Sequence, residues 1–258
     1  MKKAIVVLLL LLSSSFLITP TKADTVKLVS DAWCPYSCDP ASEKKGILVD
    51  VAEHIFSLSG HSIDYSDLNW ARAIKSVREG KYDGVIDAYK SDAPDFIFHD
   101  APILISKMCF FVKQGDPWQY DGTKSLKGRK VSIINGYSYG ELFDDYIHKN
   151  HNQGERTIVQ LSGMNVTKKR IRQIQNDRTD TVLEDWKVFP YKVSHFEKHN
   201  EDSGVLEFKN AGCLAGEGLY IAFSPIQSSS EYYADLISQG LKQMQESGEL
   251  TEIIRRYE

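Results

Sequence analysis

Apolar positions along this 258-residue chain change period repeatedly, and each change marks a predicted element. Residues 26–30 (VKLVS) alternate as a strand does. Residues 46–57 instead place Leu48, Val51, Ala52, Ile55 and Phe56 at the i, i+3, i+4, i+7 spacing of one helix face, and they run into Ser59 and Gly60, where a helix stops. Ile63, Tyr65 and Leu68 predict a second strand and residues 71–79 a second helix. After the turn GKYD (80–83), the short run GVIDA (84–88) predicts a buried third strand. Residues 107–113 (KMCFFVK) form another strand candidate, and the polar, Gly- and Pro-bearing residues 114–124 read as a boundary. A second series follows: a strand over 130–134, a turn at Asn135 and Gly136, and a helix with Tyr139, Leu142, Phe143, Tyr146 and Ile147 on one side. Then come a strand over 157–161, a helix over 164–176 and a strand over 180–183 leading to Glu184, Asp185 and Trp186. Residues 230–257 are helical and amphipathic, with a break at Ser247 and Gly248. Strands alternating with helices, without a solenoid repeat, predict an α/β chain in two lobes.

The N-terminus departs from this pattern. Lys2 and Lys3 precede an apolar run over residues 4–12, shorter than the ~18 residues needed to span a bilayer, and serines and Thr21-Lys22-Ala23 follow. This is the layout of a cleavable secretory signal over residues 1–23, with cleavage near Ala23/Asp24, an exported product and no stable membrane insertion. The formal net charge is −4, and the predicted cleavage removes three lysines and no acid. Such an acidic balance argues against nucleic acid or anionic lipid as the main partner. In an oxidising compartment the four cysteines would pair, and four allow three connectivities.

Five segments, in order, carry a resemblance: KGILVDVAEHIF, WARAIKSVREGKYDGVI, SLKGRKVSIINGYSYGELF, NDRTDTVLED and ISQGLKQMQESGELTEIIRRY. Together with the aromatic-Pro-Tyr loop after the first strand, they cover essentially all of the predicted mature chain. The sequence resembles the bacterial periplasmic solute-binding proteins of family 3, the type that serves polar amino-acid uptake. The resemblance implies a two-lobed type II periplasmic-binding-protein fold. Lobe 1 would comprise residues 24–112 plus 216–258 and lobe 2 residues 113–215, with a hinge through 109–112 and 218–222 and the ligand cleft between the lobes. It further implies binding of a small polar solute (amino-acid-like, peptide-like or amine) by a periplasmic monomer, without cofactor or metal and without enzymatic activity. The solute would pass to an inner-membrane ABC transporter. The rival readings are a cyclohexadienyl-dehydratase-like enzyme on the same fold, recruiting Glu184, Asp185 or Asp87 as general acid, and a sensor for a membrane receptor.

Within that resemblance, the loop DAWCPYSC (31–38) would bring Trp33 and Tyr36 to the cleft, unless one or both only cover the lobe's core. A Cys34–Cys38 disulfide would hold those rings before ligand arrives, sparing entropy on binding. The spacing is not the C-x2-C of a redox motif, and the loop has no histidine for zinc. Cys109 and Cys213 would lie near the hinge, bridged or as buried thiols. Trp70 and Arg72 open the second helix, and Asp87 to Ser91 follow the third strand, where such proteins hold a ligand's ammonium and carboxylate. Amino-acid binders continue there into Thr-x-Glu-Arg, whose arginine grips the carboxylate in two parallel hydrogen bonds. This chain reads KSDAPDFIF, with no arginine between Lys90 and Lys107. Lys90 or Arg72 would have to substitute, or else are ordinary surface cations, and a standard α-amino acid becomes a doubtful ligand.

In lobe 2 the turn with Tyr137 and Ser138 would offer N–H groups and a hydroxyl to an anionic group at a helix N-terminus, or Ser138 would simply cap it. Asp185 aligns with the acid that takes the ligand ammonium, as an exposed cleft carboxylate; a helix-capping pair with Glu184 is the plainer alternative. His148 and His151, the sequon at Asn165-Val-Thr167 and the basic run Lys168-Lys-Arg170 read as solvated helix surface rather than as sites.

Overall fold

The computed structural model describes residues 23–150, 157–163, 165–198 and 207–257. The predicted signal segment, except Ala23, lies outside them, as do His151 and Met164, the predicted first residue of a helix. The chain begins with β1 (Thr25–Ser30), α1 (Ile47–Leu58), β2 (Ser62–Asp67), α2 (Trp70–Arg78) and β3 (Gly84–Ala88), followed by the short strands β4 (Ile97–Phe98) and β5 (Leu104–Ser106). A second set follows: β6 (Met108–Lys113), β7 (Val131–Ile134), α3 (Glu141–Asn150), β8 (Ile158–Leu161), α4 (Val166–Gln175), β9 (Thr181–Asp185), α5 (Val188–Lys198) and β10 (Phe208–Cys213). The chain then returns as β11 (Glu217–Phe223) and ends in α6 (Ser230–Ser247) and α7 (Glu249–Arg255).

Two sheets result. The first has the order β2-β1-β3-β11-β4, with β5 also on β11; β1 is parallel to β2 and β3, and β11 runs antiparallel to β3. The second has the order β10-β6-β9-β7-β8. This is the two-lobed α/β fold that the alternating pattern predicts, because each helical crossover returns the chain parallel to its previous strand. In lobe 1 the apolar stripe of α1 packs Phe56 edge-on against Phe223 and Tyr233. Gly240 lets α6 approach closely, since a Cβ there would come within 2.6 Å of the Ile55 side chain. In lobe 2, Phe110 stacks on Tyr120 at 4.3 Å and Phe111 on Phe189 at 4.3 Å.

Several expectations are corrected. Residues 109–112 are not a crossing: they lie inside β6, between β10 and β9, and residues 218–222 lie inside β11. The chain changes sheet at Lys107 and again over residues 214–216, so that β6 belongs wholly to the second sheet. A buried apolar strand has the same pattern whichever sheet it joins, so periodicity could not place the switch. Leu142 is 85% exposed on α3, and Arg170 is fully buried, whereas Lys168 and Lys169 are exposed. Four elements were not foreseen, β4, β5, α5 and β10, which are short or carry no clean period.

Gly46 ties the fold to the site. It precedes α1 with φ 121°, a region L residues avoid, and a Cβ there would overlap the Tyr36 carbonyl oxygen and lie 2.6 Å from Ser37 Cα. The helix can start beneath the 31–38 loop only because this position is bare. Gly46→Ala is therefore expected to cost about 2 kcal/mol or more, from backbone strain and displacement of the loop. Denaturant unfolding measures the loss; an unchanged midpoint would show that the loop does not rest on this contact.

Candidate functional site

The loop after β1 is short, rigid and braced from both lobes. Cys34 and Cys38 are disulfide-bonded, Trp33 bridges Ser37, and the Ile47 and Leu48 N–H groups donate to the Pro35 and Tyr36 carbonyls. This loop presents Trp33 across the cleft, where its Nε1 donates to Glu184 Oε1 at 2.9 Å. Glu184 is itself held by lobe 2: Arg170 Nη1 donates to its Oε2 at 2.8 Å, and Thr167 Oγ1 at 3.3 Å. Arg170 also donates to the Ser132 and Leu183 carbonyls. A fully buried ion pair of this kind is stable only when most of its remaining groups are bonded, which these carbonyls and the indole achieve for all but Arg170 Nε.

Asp185 corrects an expectation. It is fully buried rather than an exposed cleft carboxylate, and both oxygens are engaged by the protein. Its Oδ1 accepts from the Lys187 and Val188 N–H groups at the start of α5; its Oδ2 accepts from Ser106 Oγ at 2.6 Å, the Lys107 N–H at 3.3 Å and Tyr36 Oη at 3.4 Å. Capping an N-terminus satisfies donors that the helix leaves orphaned. With Tyr89 Oη, 2.7 Å from Ser106 Oγ, this network sits beside the sheet crossing at Lys107.

A small cavity lies between the lobes. Three acidic residues, Asp31, Asp87 and Asp92, line it together with Trp33, Trp70, Tyr89, Tyr137 and Met108. Among the described residues no lysine or arginine lines it. Asp87 owes its position to a bulge: Ala88 pairs with Tyr220 and Ile86 with Ile221, leaving Asp87 unpaired at φ 70°. Bulges re-aim side chains, and aspartate tolerates the left-handed region better than most residues. Its Oδ2 accepts from Ser30 Oγ at 3.1 Å and from Ser37 Oγ, while its Oδ1 is buried with no hydrogen-bond partner among the described residues. Asp31 accepts from Tyr137 Oη at 2.6 Å. Asp92 Oδ2 accepts from the Tyr89 N–H at 2.9 Å and its Oδ1 from the Ser138 N–H of the other lobe at 3.0 Å.

Burial sets the protonation of these groups. Loss of water pushes the Asp31 carboxyl up to about 7, despite the Tyr137 hydrogen bond, and Asp92 to about 7. Asp87, also desolvated, rises to about 8 despite its two serine donors, with Asp31 and Asp185 adding repulsion. Asp31, Trp33 and Tyr137 also line an outer cleft of about 500 Å³, whose other walls include Asp67, Asn69, Tyr191 and Lys192. Lys192 Nζ donates to the Ala32 carbonyl at 2.8 Å, and desolvation lowers its pKa against the attraction of Asp31, Glu184 and Asp67.

The residues singled out from sequence therefore separate. Trp33, Trp70, Asp87 and Tyr137 meet at the inner cavity. Tyr36 lies behind it, against Asp185. Ser138 spends its N–H on Asp92 and its hydroxyl on Asp144, so the anions at this turn are the protein's own. Arg72 is exposed, and Lys90 lies over the Tyr220 ring at 4.9 Å; neither lines a described cavity. Asp31, Asp92 and Met108 were missed, and Tyr89 was covered only by the segment 87–91. Asp31 opens one segment already under suspicion and Asp92 follows another, but a lone aspartate in a turn carries no signal of what it faces. Cys109 and Cys213 are bonded across paired positions of β6 and β10, within the second sheet.

A carboxyl held neutral by burial keeps a proton that the unfolded chain releases near 3.8. Rising pH therefore favours unfolding, from about 4 to about 8. The ligand-free protein is expected to lose about 5 °C of Tm between roughly pH 5 and pH 8, and Asp87→Asn to flatten the fall. Thermal unfolding followed by circular dichroism checks this; a Tm rising over that interval would contradict the assignment.

No curated protein sequence matches the chain. Among solved structures, an arginine-, lysine-, histidine-binding protein from Geobacillus stearothermophilus is similar at TM-score 0.69 and 19% identity, covering 90% of this chain and 94% of its own. An ancestral arginine-binding protein bound to arginine gives TM-score 0.69 at 19% identity, with 90% and 97% covered. A histidine kinase sensor domain with similarity to periplasmic binding proteins gives 0.71 at 17%, with 90% and 95% covered. At such identities the likeness is one of fold. The family model of the bacterial extracellular solute-binding proteins, family 3, matches residues 26–258, nearly everything the structure describes, and the chain belongs to that family.

Proposed function

We propose that the solute taken by this family member is a small organic cation, an amine without need of a carboxylate, bound between the lobes. The observation that carries this reading is the buried, unpartnered Oδ1 of Asp87, a residue of a cavity lined by three aspartates and by no cation among the described residues. An unpaired buried acceptor is costly, and a cation donating to it would remove that cost while neutralising its neighbours. The four rings around the cavity add attraction through their π-faces. Two further observations support the same class of ligand: Arg72 and Lys90 both lie away from the cavity, and Asp92 already occupies the Ser138 N–H, where a ligand's anionic group was expected.

In this proposal Trp33, Trp70, Asp87 and Tyr137 contact the solute, while Tyr36, Ser138 and Asp185 hold the lobes around it, and Arg72 and Lys90 are surface cations. Lobe closure, about crossings at Lys107 and residues 214–216, distinguishes loaded from empty protein for an ABC-type membrane transporter. The protein works as an exported monomer in the periplasm, freed of residues 1–23. Among the described residues no helix is long and apolar enough to cross a membrane. A general-acid role is not favoured for Glu184 or Asp185, because every one of their carboxylate oxygens is bonded within the protein.

A thermal-shift screen of the twenty amino acids beside simple alkylamines tests the reading. At a hundredfold excess over Kd a ligand adds about 2.7 kcal/mol, roughly 5 °C or more for a chain of this size. Amines are expected to give such shifts and neutral amino acids none; strong stabilisation by a neutral amino acid, with none by an amine, would overturn it.

A further inference from the structure

The inner cavity and the outer cleft together restrict the cation further than its charge does. The inner cavity measures about 10 Å³, room for one water-sized group. A primary ammonium head is of that size. A trimethylammonium head is several times larger, and it has no N–H to give Asp87 Oδ1, which is buried without a hydrogen-bond partner among the described residues. The outer cleft is about fifty times more capacious, and the two share Asp31, Trp33 and Tyr137 as their partition. Trp33 and Tyr137 stand edge to face there, with ring centroids 6.2 Å apart. At that separation the rings touch, so an apolar chain passes them only when the lobes part; beyond them the outer cleft offers further apolar wall from Ile134 and Ile171.

Resting on the cationic reading above, we propose that the solute is a primary alkylamine that enters head first as the lobes part, its ammonium donating to Asp87 in the inner cavity and its chain running past Trp33 and Tyr137 into the outer cleft. An α-amino acid cannot be held this way. Its carboxylate sits one carbon from the ammonium and would be pressed against Asp31, Asp87 and Asp92, a like-charge contact that rejects the ligand. Full N-methylation is excluded by volume and by loss of the donor, and partial methylation by volume. The cavity therefore sorts cations by head group and leaves the chain's far end to the outer cleft.

Three probes with the same four-carbon chain separate the possibilities: n-butylammonium, butyltrimethylammonium and L-norleucine, each titrated calorimetrically into the mature, disulfide-intact protein. Butylammonium is expected to bind at least about tenfold more tightly than either of the others, and Asp87→Asn to weaken it by about tenfold or more, the usual scale for a hydrogen bond to a charged group. Asparagine tolerates the left-handed backbone of position 87, and circular dichroism verifies the fold. Met108→Ala, which enlarges the inner cavity, is expected to narrow the gap between butylammonium and butyltrimethylammonium. Tighter binding of butyltrimethylammonium in the wild-type protein overturns the head-group assignment and leaves the cationic reading standing. Tighter binding of norleucine overturns both. No binding of any probe at millimolar concentration overturns head-first entry, since the inner cavity would hold the ammonium whatever its tail.

Discussion

Charge buried without a counter-charge is the constraint around which this molecule is arranged. Asp31, Asp87 and Asp92 share one cavity from which water is largely excluded, and Lys192 attends to Asp31 from the outer cleft rather than from the cavity wall. Ionising all three would cost far more than the local hydrogen bonds return. The protein has two ways out: to keep carboxyls protonated, as their raised pKa values reflect, or to admit a cation. A binding protein needs the first in its empty state and the second in its loaded state. On the proposed reading, affinity for a cation is thereby coupled to loss of a proton.

The rest of the cleft keeps that cavity in shape. Arg170 neutralises Glu184, Glu184 orients the Trp33 indole, and Asp185 fixes the start of α5 while reaching Ser106 beside the crossing at Lys107. These buried acids differ from the cavity acids in one respect: each of their oxygens has a protein donor. Division of labour among acidic residues thus follows from bond completeness, with satisfied carboxylates building the interface and the incompletely satisfied Asp87 facing the ligand space. Asp92 belongs to both groups, since it clasps the Ser138 N–H across the lobes and also lines the cavity.

How much of this could be read from the sequence depends on range. Local periodicity located α1, α2, β1 and β3 nearly to the residue, because each has a short, regular apolar pattern flanked by glycine or a turn. The missing arginine after β3 was equally plain, and it made a standard α-amino acid a doubtful ligand while leaving modified amino acids, short peptides and amines open. What sequence could not reveal were contacts between residues far apart in the chain. Asp92 meets Ser138 forty-six positions away, and Trp33 meets Glu184 across 151. The bulge that turns Asp87 inward depends on its register with β11, which nothing in the run GVIDA announces. Asp185 and Arg170 were misjudged for the same reason: a charged side chain reads as exposed until its buried partners are known.

The protonation state of Asp87 tests the account most directly. Carboxyl carbon chemical shifts of 13C-labelled aspartate, followed by NMR at neutral pH, report it in the free protein and in the protein saturated with n-butylammonium. The account predicts a neutral Asp87 carboxyl in the free protein and an ionised one when the amine is bound. An Asp87 ionised in both states, with no response to the amine, would contradict it.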